Sequence, residues 1–196
     1  MPLNVLVTGG AGYVGSTLSH LLLDRGHGVT VIDNLSFGGE ALLGLRHHPG
    51  FTFQHGDITD DGLLETLFAE DAFDAVVHLA AIVGDPACAK QPDLAAKVNG
   101  TASVKLLAAA RRHGVLRFIF ASTCSNYGRM ADGESYVDET SPLAPISLYA
   151  ELKVAFEQRL IATNLANDRF CPTAIRCATV HGLSPRMRFD LTVSEF

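Results

Sequence analysis

Val5-Leu6-Val7-Thr8-Gly9-Gly10-Ala11-Gly12-Tyr13-Val14-Gly15 decides the fold. A short apolar run breaks into glycines and resumes in helical spacing, which reads as strand, turn, helix. Gly10, Gly12 and Gly15 satisfy the G-x-G-x-x-G spacing, and Gly9 extends the turn backwards. The glycines of such a turn supply a positive φ, a backbone open to pyrophosphate, and a close contact between helix and strand. The N–H groups at the start of the next helix then face the anion. A second strand, Gly28 to Ile32, ends in Asp33. That is about 20 residues past the glycines, where dinucleotide folds place the acid that accepts from the adenosine ribose. A glycine string alone is a weak signal; strand, helix and acid in register with it make it strong. A carboxylate here repels a 2′-phosphate and neither neighbour, Ile32 or Asn34, is basic, so the expected cofactor is NAD and not NADP.

The chain has 196 residues, 47% of them hydrophobic, enough for one domain with a buried core. A formal net charge of -6 argues against a general nucleic-acid or membrane-surface role. The four cysteines, at 88, 124, 171 and 177, have no metal-like spacing and fall in or beside apolar segments, so reduced, buried thiols and no metal are expected. No basic-then-apolar leader opens the sequence, and no apolar run approaches the roughly 18 residues of a membrane span. A cytoplasmic protein is expected.

Outward from the glycines, strands and helices alternate. Tyr13 to Arg25 has apolar residues in helical spacing and closes at Gly26. A shorter helix through Leu45, a strand from Phe51 to His55 and a helix from Leu63 to Phe68 follow. Ala75 to Leu79 reads as a buried strand of the kind parallel sheets use. Pro92 to His113 is a long Ala- and Leu-rich helix, followed by strand Leu116 to Phe120, helix Ser147 to Asn164 and strand Thr173 to Cys177. This alternation implies an α/β fold, a Rossmann-type doubly wound parallel sheet with helices on both faces. Tyr127 to Pro145 is the one long irregular stretch, and such a loop usually belongs to a site.

Three pieces then fall at the carboxyl ends of strands, where ligands of such sheets bind. Asp57 can accept from the adenine amino group while Ile58 packs on the ring; a helix N-cap ahead of Asp60 and Asp61 is the competing reading. Leu79, Ala80 and Ala81 are small enough for a close approach of backbone to cofactor. Ser122 to Gly128 follows the fifth strand, with Tyr149 and Lys153 on the next helix. Four residues apart, these two share a face, where an ammonium stabilises a phenolate. A free tyrosine, with a pKa near ~10, is a poor base at neutral pH. Lys153 and a positive nicotinamide ring are expected to lower it, so that Tyr149 takes a substrate hydroxyl proton while hydride leaves to NAD, with Thr123 sharing the hydrogen bond.

On Thr8 to Gly15, Asp33 to Ser36, Asp57-Ile58, His78 to Ala81, Val98 to Thr101, Ser122 to Gly128 and Ser147 to Lys153, the chain resembles the extended short-chain dehydrogenase/reductases. Within them it is most similar to the NAD-dependent nucleotide-sugar epimerase/dehydratase group. The resemblance implies cofactor contacts at Gly9, Gly12, Tyr13, Val14, Gly15, Asp33, Asn34, Asp57, Ile58, Ala80, Ala81 and Lys153. It gives catalytic roles to Thr123, Tyr149 and Lys153, and substrate or site-ordering roles to Asn99, Ser125, Asn126 and Thr179. The substrate implied is a nucleotide sugar, and the assembly a homodimer joined through a four-helix bundle. Sugar dehydratases of this group carry an Asp-Glu pair after the catalytic threonine; here Cys124 and Ser125 stand there, which disfavours elimination and favours epimerisation. Relatives continue into a lobe that closes over the sugar. Residues 1–180 are therefore expected to form the NAD-binding domain and 181–196 the start of a substrate-binding region, in a shortened form of a longer enzyme. Phe189, Val193 and Phe196 stand at helical spacing there. An oxidoreductase of another small alcohol or ketone, and a non-catalytic NAD-binding remnant or partner subunit, are the alternatives.

Overall fold

β1 (Asn4–Thr8) takes the centre of the sheet because Val5, Leu6 and Val7 are apolar towards both faces and no more than 3% exposed. The computed structural model describes residues 1–129, 136–164 and 169–189. Around β1 stand β2 (Gly28–Asp33), β3 (Phe51–His55), β4 (Ala75–His78), β5 (Arg117–Thr123) and β6 (Cys171–Cys177). All pairings are parallel, in the order β3-β2-β1-β4-β5-β6. The helices are α1 (Tyr13–Asp24), α2 (Asp61–Glu70), α3 (Asp85–Lys90), α4 (Pro92–Ala95), α5 (Ser103–Arg112) and α6 (Leu148–Ala162). From β1 the chain moves outward through β2 and β3, then returns to β4 on the other side of β1. The strand order therefore reverses between β1 and β4, and a crevice opens outside their carboxyl ends.

The two faces are filled by alternate residues of the strands. Leu6, Ile32, Val76, Phe118 and Phe120 pack with Leu64 and Leu67 of α2, Leu106 of α5, and Phe156 and Leu160 of α6. Val5, Val7, Val29 and Val31 pack on the opposite face with Leu23 of α1 and with Leu42 and Leu45 of a 3₁₀ turn, Glu40–Leu45. At roughly 1.5–3 kcal/mol for each fully buried large apolar side chain, these two clusters hold the sheet. The Rossmann-type architecture expected from the sequence is the one observed.

The departures are local. The expected helix Pro92–His113 is present, but Ala96–Ala102 is wound as a π-helix between α4 and α5, with Ser103 Oγ donating to the Val98 carbonyl at 3.2 Å. α3 was not legible: it has six residues, starts after Gly84 at φ +89°, and offers too short a pattern to betray a period. β5 runs three residues beyond Phe120, to Thr123. Of the four cysteines only Cys88 is buried; Cys124 and Cys171 are exposed and Cys177 is half-buried. The expectation of buried thiols fails because β6, an edge strand, and the turn after β5 lie at the margin of the sheet. Beyond Phe189, the expected helical stripe to Val193 and Phe196 lies outside the described residues.

Candidate active site

The turn between β1 and α1 is built on glycine for two measurable reasons. Gly9 has φ +72°, and a Cβ there would stand 2.7 Å from the Ala80 nitrogen. A Cβ on Gly15 would stand 2.3 Å from the Gly9 carbonyl oxygen, so only glycine lets the helix begin this close to the turn. Gly12 is the N-cap residue of α1, which has no side-chain cap. The first-turn N–H groups of Tyr13, Val14 and Gly15 therefore have no capping acceptor, and with the helix dipole they form a place for an anion. Val14 is exposed there, whereas the Tyr13 ring is buried.

At the carboxyl end of β2, Asp33 Oδ2 accepts from the Ala11 N–H at 2.9 Å and Oδ1 from the Leu35 N–H at 2.8 Å. The carboxylate thus ties the glycine turn to the next loop and keeps lone pairs free for a sugar hydroxyl. Asn34 Nδ2 donates to Asp57 Oδ2 at 2.8 Å, and Thr59 N–H donates to Asp57 Oδ1 at 2.8 Å. Burial raises the Asp57 pKa, but the bonds from Thr59 and Asn34 and the charge of Lys97 outweigh it, leaving the carboxyl below its ordinary value. Asp60, not Asp57, caps α2, so the N-cap reading of Asp57 is removed. Ile58 beside it is 4% exposed. Gly9, Asp33, Asp57 and Ala80–Ala81 stand at or just past the carboxyl ends of β1, β2, β3 and β4, on one edge of the sheet. Uncapped helix start, carboxylate and cradle suit a dinucleotide. No group of three or more His, Cys, Asp or Glu side chains suited to a metal ion occurs among the described residues.

A buried relay fixes Leu79 and Ala80. Leu79 N–H and Ala80 N–H donate to Thr8 Oγ1, each at 3.2 Å. With two bonds accepted, Thr8 turns its proton to His78 Nδ1 at 2.8 Å; His78 Nε2–H then faces Ser103 Oγ at 2.9 Å, and Ser103 donates to Val98 O. The imidazole is neutral: burial first, and the Lys153 charge second, push its pKa down to about 3. Asn99, in the π-helix, accepts from Ile82 N–H and donates to Ile82 O, both at 2.8 Å. Its amide is thus engaged in ordering the loop after β4. The π-helix is what turns Asn99 to that loop, a common use of such a bulge near a site.

Thr123, Tyr149 and Lys153 come from β5 and α6. Ser147 caps α6, accepting from Ala150 N–H at 3.2 Å while its own hydroxyl donates to Asp85 of α3 at 2.6 Å. Lys153 is 4% exposed and its Nζ donates to the Ala121 carbonyl at 2.7 Å, 4.5 Å from the Phe120 ring centre and 5.7 Å from that of Tyr149. Burial pulls its pKa down to about 8, against the opposing pull of the Cys177 and Cys88 thiols. Tyr149 departs from expectation. Its phenol is pushed up to about 12, first by burial and then by Cys88, Asp85 and Cys177, with Arg188 opposing. In the protein alone, desolvation of a phenolate outweighs the opposing charge of Arg188. Thr123 is 8% exposed, and its Oγ1 accepts from Ser125 N–H at 3.2 Å at the head of a 3₁₀ turn, Cys124–Tyr127.

Ser125 is exposed at that turn. Asn126 is fully buried, its Nδ2 donating to Ser122 Oγ at 2.9 Å and to Glu157 Oε2 at 3.2 Å, so it orders the site from within. Thr179 is exposed, two residues past the end of β6. Sequence reasoning missed two features. Buried Glu157 and partly buried Arg176 form an ion pair; an acid one helical turn beyond Lys153, on a face otherwise carrying Val154, Phe156 and Leu160, was the available signal. The segment after β6 also crosses the first turn of α1. Tyr13 OH donates to Gly182 O at 2.6 Å, Ser184 Oγ donates to Tyr13 O at 2.7 Å, and the Arg186 guanidinium lies 4.3 Å from the Phe37 ring centre. Nothing local in the sequence announces those contacts.

Comparison with known proteins agrees with this geometry. The chain is 38% identical over 156 residues to a UDP-glucose 4-epimerase of Halalkalibacterium halodurans, covering 79% of this chain and 44% of that protein. It is 35% identical over 191 residues to a probable UDP-arabinose 4-epimerase of Arabidopsis thaliana, covering 94% and 46%. Among solved structures, the UDP-Glc/GlcNAc 4-epimerase of Campylobacter jejuni superposes with a TM-score of 0.80 at 35% identity, over 86% of this chain and 51% of that one. The UDP-glucose 4-epimerase of Thermus thermophilus in complex with NAD gives 0.73 at 37% identity, over 82% and 50%. The chain thus spans about half the length of these relatives. The profile of the NAD dependent epimerase/dehydratase family matches residues 5–195, and the chain belongs to that family.

Proposed function

We propose that this chain binds NAD and carries the hydride-transfer site of a nucleotide-sugar 4-epimerase acting on a UDP-sugar, with residues 1–180 as the NAD-binding domain and 181–196 opening the substrate-binding region. The observation that carries the reading is one sheet edge holding both an uncapped helix start beside Asp33 and the set of buried Thr123 and Lys153 with half-buried Tyr149. The printed names of the relatives, 4-epimerases of UDP-glucose and UDP-arabinose, support the substrate class.

In this reading the backbone of Gly9, Gly12, Tyr13, Val14 and Gly15 meets the pyrophosphate. Asp33 and Asn34 meet the adenosine ribose, Asp57 and Ile58 the adenine, and Ala80, Ala81 and Lys153 the nicotinamide end. Held by these residues, NAD would supply a reversible acceptor for the hydride of a sugar carbon and a positive ring beside Tyr149. Tyr149 takes the proton from the hydroxyl on that carbon and gives it back on return. Its phenol, held at about 12 in the protein alone, acts as a base once positive charge stands beside it. Thr123 shares the hydrogen bond to the same hydroxyl, and Asn99, Ser125, Asn126 and Thr179 border or order the sugar's place. Single-turnover mixing with NAD and UDP-glucose, followed by absorbance of the reduced dinucleotide, tests this. Tyr149→Phe should slow the transfer by ~10²-fold or more while NAD affinity is retained; a Tyr149→Phe chain as fast as the parent would overturn it.

The same reading includes a homodimer joined through α4–α5 and α6 as a four-helix bundle. Leu94 at 40% and Ile161 at 49% exposure, one on each of these helices, support it. Light scattering at micromolar concentration should give twice the chain mass, and a clean monomer would contradict it.

A further inference from the structure

Lys153 and Glu157 lie one helical turn apart on α6 and reach consecutive residues of β5. Lys153 Nζ holds the Ala121 carbonyl, while Glu157 Oε2 accepts from Ser122 Oγ at 2.8 Å and from Asn126 Nδ2 at 3.2 Å. The next residue is Thr123. The other oxygen of Glu157 is held by Arg176 of β6, through Nε at 2.9 Å and through Nη2. Ser122 and Arg176 are register partners in the β5–β6 ladder, so both side chains leave the sheet towards α6 and converge on one carboxylate. Arg176 is anchored in turn by Tyr127 OH at 2.9 Å and Glu139 O at 3.2 Å. The pair is enclosed, with side-chain exposures of 17% for Arg176 and 7% for Glu157. One carboxylate therefore joins the helix of Tyr149 and Lys153, the strand of Thr123 and the strand leading to Thr179.

We propose that Glu157 and Arg176 are positioning residues. The carboxylate, gripped by the guanidinium, locks α6 to the ends of β5 and β6 and so sets Lys153 against Ala121 and Thr123, and as a neutral pair it adds no net charge beside Lys153. The proposal rests on the catalytic reading of Lys153 and Thr123 given above. The ordinary alternative, an ion pair that only stabilises the fold, predicts that Lys153 titrates like the parent once both charges are removed. The titratable groups facing Lys153 are His78 of β4, Cys88 of α3, Cys177 of β6 and Tyr149 of its own helix. None is altered by changing the pair. Removing one partner bares the other's charge about one turn from Lys153.

The chain has only four lysines, at 90, 97, 105 and 153, so selectively labelled lysine resolves Lys153 by NMR in the chain without dinucleotide or sugar. Arg176→Met should raise the Lys153 pKa and Glu157→Gln should lower it, each by about half a unit or more for a bared charge at this range. The double variant, with neither charge and no clamp, should leave Lys153 less firmly held and more hydrated, and so titrate above the parent; titration like the parent would show a pair that only stabilises the fold and would overturn the proposal. Shifts of one sign in both single variants, or none in either, would overturn the proposal. A cooperative thermal transition qualifies each variant. If Arg176→Met does not fold, Glu157→Gln and the double variant decide: a downward shift that the second change turns upward past the parent supports the proposal, and any other result sinks it. A chain that binds no NAD would defeat the function above and leave this titration standing.

Discussion

At Tyr149 two effects compete for one proton. Burial favours the neutral phenol, and the neighbouring thiols and Asp85 act the same way, so the group sits at about 12 instead of near 10. Lys153, 5.7 Å from the ring and bonded to Ala121 O, does not reverse this alone. In the function proposed, Tyr149 stays protonated until the positive charge of a bound dinucleotide stands beside it. His78 shows the opposite case, a base kept neutral. Its folded pKa, about 3, lies below the 6.5 of an ordinary imidazole. Between those values the unfolded chain binds the additional proton, so stability is present above about pH 6.5 and lost as pH falls towards 3. Urea unfolding between about pH 4 and 8 should show this loss, approaching about 1.4 kcal/mol per pH unit from this group. In His78→Gln that part of the slope should vanish. An unchanged slope would show that the imidazole is not titrating on unfolding.

Among elements, the β1–turn–α1 unit was the most legible, because its constraints are local. A strand, a glycine turn and a helix leave their signature within one short run, Val5 to Gly15. Gly15→Ala is the direct test: with the new Cβ at 2.3 Å from Gly9 O, backbone must shift. We expect a loss of about 1–3 kcal/mol in stability, measured by chemical denaturation, together with loss of NAD affinity. A variant as stable and as tight as the parent would show that the close helix start is not required. The helix face of Tyr149 and Lys153 was legible for the same reason, as a spacing of four. The clamp of Glu157 on Arg176 was not. Its partners lie 19 residues apart on different elements, and only the β5–β6 register brings Ser122 and Arg176 to one side. The π-helix escaped notice because Ala96–Ala102 carries the same apolar pattern as an α-helix; only its hydrogen bonds distinguish it. The contact of Tyr13 with Gly182 spans 169 positions, and no sequence period encodes it.

Taken whole, the molecule is a sheet whose strand order reverses between β1 and β4, and the function proposed for it depends on that crevice receiving a dinucleotide. Asp33 is the residue that gives this claim chemical content. Its carboxylate is fixed by Ala11 and Leu35 at the mouth of the glycine turn, where a ribose hydroxyl can donate to it and a 2′-phosphate is repelled. Calorimetric titration of the 196-residue chain with NAD and with NADP measures this directly. The account predicts tighter binding of NAD by about 1–3 kcal/mol, the scale of a charge clash in a partly desolvated site, and a narrowed gap in Asp33→Ala. Equal affinity for the two dinucleotides, or no binding of either, would contradict it.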